Sequence, residues 1–263
     1  MDIENNRFGG RMRIKKKEYK EEAIKRVSVL VPARGSHPEI LRSAIQIAKI
    51  LKVPVRLLIP TKFICDRPSK SGFYTEFMEE QSHETGIFWE RIIFEDPLSD
   101  FLKKMRQDLD FLVMMKEDEL MHTVLSHAPC PILLVPKSFG HGFRQVLLAY
   151  AGGRFSEKAL HLVALIAKFG KCSVEVLTVG NPSPALRMAH ERARYLMGRW
   201  KVKAKFKILK DEVKPCILEN CENKQVSLLV LGASETKEWR DYHFRSLSQA
   251  VAEEAHCPVM IVK

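Results

Sequence analysis

A chain of 263 residues with 46% hydrophobic composition carries enough apolar material for one large or two ordinary cores, which excludes a disordered chain. No apolar run approaches the roughly 20 residues of a membrane span, the polar start MDIENNRFGGRMRIKKK lacks the apolar stretch of a secretory signal, and a cytoplasmic location is expected. The formal charge of +11 is uneven: residues 1–26 hold nine Lys/Arg against five Asp/Glu and 138–263 hold 20 against 12, whereas 27–137 hold 14 against 15.

A basic tail over 1–26 precedes 27-VSVLVPARGSHPEILRSAIQIAKIL-51, which reads as an apolar strand, a glycine turn and an amphipathic helix. Strands follow at 54–59, 87–94, 111–115 and 131–135, with helical stretches at 73–84, 97–107 and 117–127. After the short linker SFGHGF (138–143), strands are expected near 145–150, 173–179, 202–209, 226–231 and 258–262. Helices are expected at 156–169, 184–198, 213–223 and 243–255. Continuous Val/Ile/Leu strands alternating with amphipathic helices predict a parallel sheet covered on both faces.

The chain is also written twice. The segment 127-HAPCPILLVPK-137 matches 254-EAHCPVMIVK-263, and 27–51 matches 145-QVLLAYAGGRFSEKALHLVALIAKFG-170. VLLAYAGGRFSEKAL, the LGAS that follows the fourth strand of the second half, and HCPVMIVK together resemble the universal stress protein (UspA-like) family. The resemblance covers about 27–137 and 144–263. It implies an α/β fold of two tandem five-stranded parallel-sheet sandwiches, Rossmann-like and of the adenine nucleotide alpha hydrolase type. Their fifth strands would pair as an internal pseudo-dimer, with the Cys-Pro-apolar segments in contact, buried Cys130 and Cys257, and a monomer or even-numbered oligomer such as a homodimer in solution.

Ligands of open α/β sheets bind at the carboxyl ends of the strands, where helix N-termini present backbone N–H groups. The nucleotide-binding branch of the resembled family carries three glycines and a hydroxyl residue in the loop after strand four. Here Gly232 holds the first position, Glu235 and Arg245 replace the second and third glycines, and Ser246 supplies the hydroxyl. A carboxylate beside a polyphosphate repels it, a guanidinium forks onto phosphate, and the two could instead pair with each other across a closed loop. The family's acidic residue after strand one falls at Ala151, and in the first half at Arg34. Gly152-Gly153 remains as a strand-to-helix turn able to receive an anion, with Ser156 as a candidate N-cap. The first half's loop is ten residues shorter, 18 positions from Val113 to Pro131 against 28 from Val230 to Pro258, and contains no glycine. A packing role is expected for that half.

The resemblance therefore implies a non-enzymatic stress-related regulator or accessory factor with a remodelled pocket in the second half. An adenine-nucleotide (ATP) binder, with at most slow hydrolysis, would use Gly152, Gly153, Gly232, Ser234, Arg245 and Ser246. A third reading comes from 187-RMAHERARYLMGRWKVKAKFKILK-210, with nine Lys/Arg and one Glu. Its lysines alternate with apolar residues, which suits an edge strand that resists pairing and equally a polyanion contact. The six cysteines show no zinc spacing, and the nine histidines form no catalytic constellation, so no metal is expected. His243, between Tyr242 and Phe244, is read as part of an aromatic plug or a stacking surface.

Overall fold

A computed structural model describes residues 24–32, 35–66, 68–95, 97–139, 142–181, 183–223, 225–233 and 246–263. In the first half β1 (Val27–Leu30), β2 (Val55–Pro60), β3 (Trp89–Phe94), β4 (Leu112–Met115) and β5 (Ile132–Val135) alternate with helices. These are α1 (Pro38–Leu51), α2 (Thr61–Asp66), α3 (Pro68–Thr85), α4 (Leu98–Lys104) and α5 (Met121–His127). The second half holds β6 (Gln145–Ala149), α6 (Arg154–Gly170), β7 (Ser173–Val179), α7 (Pro184–Arg199) and β8 (Ala204–Leu209). It continues with α8 (Val213–Asn223), β9 (Leu228–Gly232), α9 (Leu247–Glu254) and β10 (Val259–Val262). Several expected elements are shorter than their patterns suggest: the 117–127 helix starts at Met121 because Glu117 to Leu120 form turns, the 97–107 helix ends at Lys104, and strands three and eight start at Trp89 and Ala204. The helix α2 has no counterpart in the sequence reading.

The ten strands form one sheet in the order β3-β2-β1-β4-β5-β10-β9-β6-β7-β8. Each half is parallel, and the two are sewn together by the antiparallel pair β5–β10, in which Leu133 faces Met260. The expected fold class and the pairing of the fifth strands are both found. The core is divided by sheet face rather than by half. One cluster gathers Val29, Ile47, Val113, Leu148, Val163 and Met260, the other Leu30, Leu112, Leu134, Leu229, Val251 and Val259. The inner strands bury both faces, which is why their sequences are continuously apolar, whereas the edge strands β3 and β8 alternate partly buried and exposed positions.

Pairing registers fix how the repeat superposes. Val113 pairs with Val29 and Leu133, and Val230 pairs with Leu148 and Met260, so Val29 corresponds to Leu148. That is one residue away from the sequence match of Val27 with Gln145. A one-residue slip would turn every strand side chain to the opposite face. Ala151 then corresponds to Pro32, which corrects the assignment to Arg34; Arg34 itself lies outside the described residues.

Two further contacts hold the halves together. Helices α1 and α6, the first helix of each half, pack against one another. Lys263 donates to the carbonyls of Leu125 and Ala128 at the end of α5, and Lys116 donates to the carbonyl of Ala255 at the end of α9. Ala128 and Ala255 are repeat counterparts, so each half supplies a lysine to the last turn of the other's final helix. There the ammonium meets carbonyls without intrahelical partners and the negative end of the helix dipole.

Candidate functional site

Strand β6 ends at Ala149, and the chain turns through Gly152 and Gly153, whose φ angles are +80° and +82°. L side chains rarely adopt that conformation, so the Gly-Gly pair is what lets α6 start at once. Gly153 is the N-cap of α6 and Ser156 lies inside its first turn, which corrects the reading of Ser156 as the cap. Among the described residues no side chain caps this helix end, whose first-turn N–H groups have no intrahelical partners.

Gly232 closes β9 against that turn. A Cβ on Gly232 would lie 2.6 Å from the Ser156 backbone nitrogen and 2.8 Å from the Phe155 carbonyl carbon. Its first requirement is thus close packing of strand on helix. In the first half the strand register places Met115, fully buried, at the position of Gly232. The corresponding helix α1 begins only at Pro38. Tyr74 occupies that region, its hydroxyl accepting from the His37 N–H at 3.1 Å and donating to the Gly35 carbonyl at 3.3 Å.

In the second half the same region is open. A cavity of about 290 Å³ lies at the carboxyl ends of β6, β7 and β9. Gly152, Gly153 and Gly232 line it on one side, and Leu177, Ile217 and Leu231 line it on another. Tyr150, Ser156 and Ser248 are its hydroxyl-bearing wall residues. Ser246, expected as a ligand hydroxyl, accepts from the Gln249 N–H at 3.2 Å and lies 3.1 Å from the Ser248 hydroxyl. It is the N-cap of α9. Ser234, Glu235, Tyr242, His243, Phe244 and Arg245 lie outside the described residues; of the rest of the expected set, Gly152, Gly153 and Gly232 line the cavity together, and Ser246 caps α9 instead of lining it.

Sequence reading missed Tyr150 in the cavity wall. The side chain is fully buried, its hydroxyl meets no hydrogen-bond partner among the described residues, and burial pushes its pKa up to about 12. It shares the environment of the Arg192–Glu157 ion pair, whose shortest contact is 2.6 Å. A tyrosine within an apolar strand gives no sequence signal of this kind, because its neighbours come from α6 and α7. Also missed were Val213 and Ile217 on α8, which appear in the sequence as ordinary helix-face residues.

The basic segment 187–210 occupies α7 and the sheet edge β8. Arg187, Arg192, Arg194 and Arg199 are exposed on α7, and Lys203, Lys205, Lys207 and Lys210 are exposed along and beside β8. Ala204 and Phe206 pack on the core, as the alternation predicts. Lys205 pairs in register with Glu175, and in the first half Glu90 pairs with Arg56, which donates to it at 2.7 Å. The register makes these corresponding positions, so the edge pair is kept with its charges exchanged.

Among the described residues no cluster of three His, Cys, Asp or Glu could hold a metal, and no helix is long and apolar enough to cross a membrane. The expected burial of two repeat cysteines holds for Cys130 only; Cys257 is half-buried. The reason is its place in the loop between α9 and β10, beside the exposed His256.

A doubly wound sheet duplicated within one chain, with a pocket at the carboxyl strand ends of one half, defines a class of tandem α/β ligand-pocket folds. Residues 186–263 match the model of the universal stress protein family. The fold of nearly the whole chain is that of a universal stress protein from Archaeoglobus fulgidus DSM 4304, at 16% identity and a TM-score of 0.69, covering 90% of this chain and 96% of that one. A functionally unknown protein from Pseudomonas aeruginosa PAO1 superposes with a TM-score of 0.68 at 15% identity, covering 92% and 93%. The cytoplasmic domain of a prokaryotic cation chloride cotransporter has the same fold at 15% identity and a TM-score of 0.58, covering 90% and 94%. None of the curated protein sequences matches this chain.

Proposed function

We propose that this is a non-enzymatic, stress-related regulator or accessory factor whose second half binds a small ligand and whose first half is a packing partner. In this reading the units are 27–137 and 144–263, joined by 138–143. The carrying observation is the contrast between the halves at one corresponding place. The second half opens a cavity between Gly232 and the Gly152-Gly153 turn, whereas in the first Met115 is buried and Tyr74 closes on the backbone of residues 35 and 37.

The cavity suits a ligand with a flat or apolar body against Leu177, Ile217 and Leu231 and an anionic end toward the N-terminus of α6. An adenine nucleotide has that shape and charge, and is the ligand to test first. Purified protein would be titrated with AMP, ADP and ATP, with magnesium, in a thermal-shift assay. A saturable rise in melting temperature supports the reading, and Ile217→Trp, which fills the cavity, should abolish it. No shift up to millimolar nucleotide removes the adenine nucleotides as ligands.

A second reading, contact with a polyanion, is favoured by the eight exposed cations of α7 and β8 named above. Binding to heparin or duplex DNA should fall steeply with salt if these cations carry it. A flat salt response, or an unchanged affinity in Lys203→Gln/Lys205→Gln/Lys207→Gln, would remove that reading.

A further inference from the structure

The two repeat cysteines, Cys130 and Cys257, have the same sequence setting and pack on the same apolar cluster, but to different depths. Cys130 is buried in an apolar cluster, and burial pushes its thiol up to about 12. Cys257 is partly buried and its side chain is hydrogen-bonded to that of Cys221, near the end of α8. Side-chain ion pairs also bring the two segments together. His256 Nε2 lies 3.7 Å from Glu222 Oε1, so the residues next to both cysteines also meet. Lys214 Nζ lies 2.5 Å from Glu254 Oε1 further along the same helix pair. The ammonium of Lys116 donates to the Ala255 carbonyl, two residues from Cys257. The Cys221 hydrogen bond, the backbone N–H groups around the loop and the Lys116 charge together hold the Cys257 thiol below the usual cysteine range, against the burial that opposes them.

We propose that Cys257 and Cys221 form a peroxide-responsive thiol pair that closes to a disulfide between α8 and the loop before β10. The Cys257 thiolate attacks one oxygen of a hydroperoxide, forming an S–O bond as the O–O bond breaks. With hydrogen peroxide the leaving hydroxide takes up a proton and departs as water. Cys221, its proton lost to solvent, then attacks the Cys257 sulfur; the S–S bond forms, and hydroxide leaves and is protonated to a second water. Two thiols lose two electrons to one peroxide, and a dithiol reductant restores them. The hydrogen-bonded partner makes the second step intramolecular and short, which protects Cys257 from further oxidation. Disulfide formation would tether the end of α8, whose other end carries Val213 and Ile217 of the cavity, to the strand that joins the halves.

The full-length protein would be treated with a small molar excess of hydrogen peroxide, and intact mass and non-reducing peptide maps recorded. The expected result is loss of two hydrogen atoms and a Cys221–Cys257 cross-linked peptide, reversed by dithiothreitol. Cys257 of the untreated protein should alkylate at least about tenfold faster than Cys130, following exposure and thiolate fraction. In Cys221→Ala, Cys257 should stop at sulfenic acid, trapped by dimedone, while Cys130→Ala and Cys216→Ala should keep the cross-link. A wild-type product in which Cys257 carries sulfinic acid, stays unoxidised, or is joined to any cysteine other than Cys221 would overturn the proposal. The peptide map of the wild-type chain decides this even where a variant fails to fold.

Discussion

At Gly232 the absent side chain has one measurable consequence. A methyl group there would meet backbone atoms of α6 on β9's flank, and backbone yields little. Gly232→Ala should therefore cost about 1–3 kcal/mol in urea unfolding with no ligand present, the usual penalty for overpacking. Gly198, in α7, has open space around its Cβ position, and Gly198→Ala should stabilise by about 0.4–1 kcal/mol by restricting the unfolded chain. If both changes were neutral, the packing account of Gly232 would fail. Lys263 offers a pH test. Burial lowers its pKa to about 8, below the value of an unfolded lysine, so between the two the unfolded state binds more protons and stability must rise with pH. Cys130 works the other way, since burial raises it and stability falls as pH climbs above the ordinary thiol range. Compared in a Cys130→Ala background, the protein with Lys263 should gain stability from pH 8 to 10 with a slope approaching about 1.4 kcal/mol per pH unit, and Lys263→Met should lack that gain.

Among the elements, β8 is one of the two strands open to unwanted pairing. It is a sheet edge, it is six residues long, and Ile208 is already exposed. Lys205 and Lys207 place charge along the edge where another strand would dock. Lys205→Thr/Lys207→Thr should leave the circular dichroism spectrum unchanged and produce concentration-dependent association in sedimentation velocity; continued monodispersity at high concentration would show that the lysines are not what keeps the edge single. The opposite edge, β3, carries Glu90 and Arg91. The exchanged pairs Arg56–Glu90 and Glu175–Lys205 were not legible in the sequence, because which strands neighbour one another is set by the sheet order. The positions of the strands and of most helices were legible, since each carries its own apolar period and its own turn residues. The late start of the 117–127 stretch was not: its periodicity begins before Asp118, but the Asp118 carboxylate accepts from the Leu120 N–H at 2.8 Å and holds a turn there.

Over the whole molecule, two units of similar sequence have become one cooperative body. Core clusters run across both halves on each sheet face, β5 pairs with β10, α1 packs on α6, and Lys116 and Lys263 reach across in opposite senses. A single unfolding transition follows from that sharing. Trp89 in β3 and Trp200 after α7 report on the two halves. In variants keeping one tryptophan each, the two denaturation curves should coincide, and Leu133→Ala at the β5–β10 seam should shift both by the same amount, about 2–5 kcal/mol. Curves that separate would mean the halves unfold independently.

The sequence by itself determined the alternation of strand and helix, the duplication, and the Gly152-Gly153 turn that leaves a helix end open, because these are local: a period, a repeat, a backbone conformation that only glycine takes easily. The tertiary structure decided what depends on partners far apart in the chain. It set the register that makes Val29 the counterpart of Leu148, and it placed Met115 where the other half has Gly232. It brought Lys263 to a helix end 138 positions away, and it laid Cys257 against Cys221 while burying Cys130. Identical Cys-Pro motifs came to opposite fates because a motif fixes only its own backbone, whereas burial, charge and reactivity belong to the neighbours that the fold supplies.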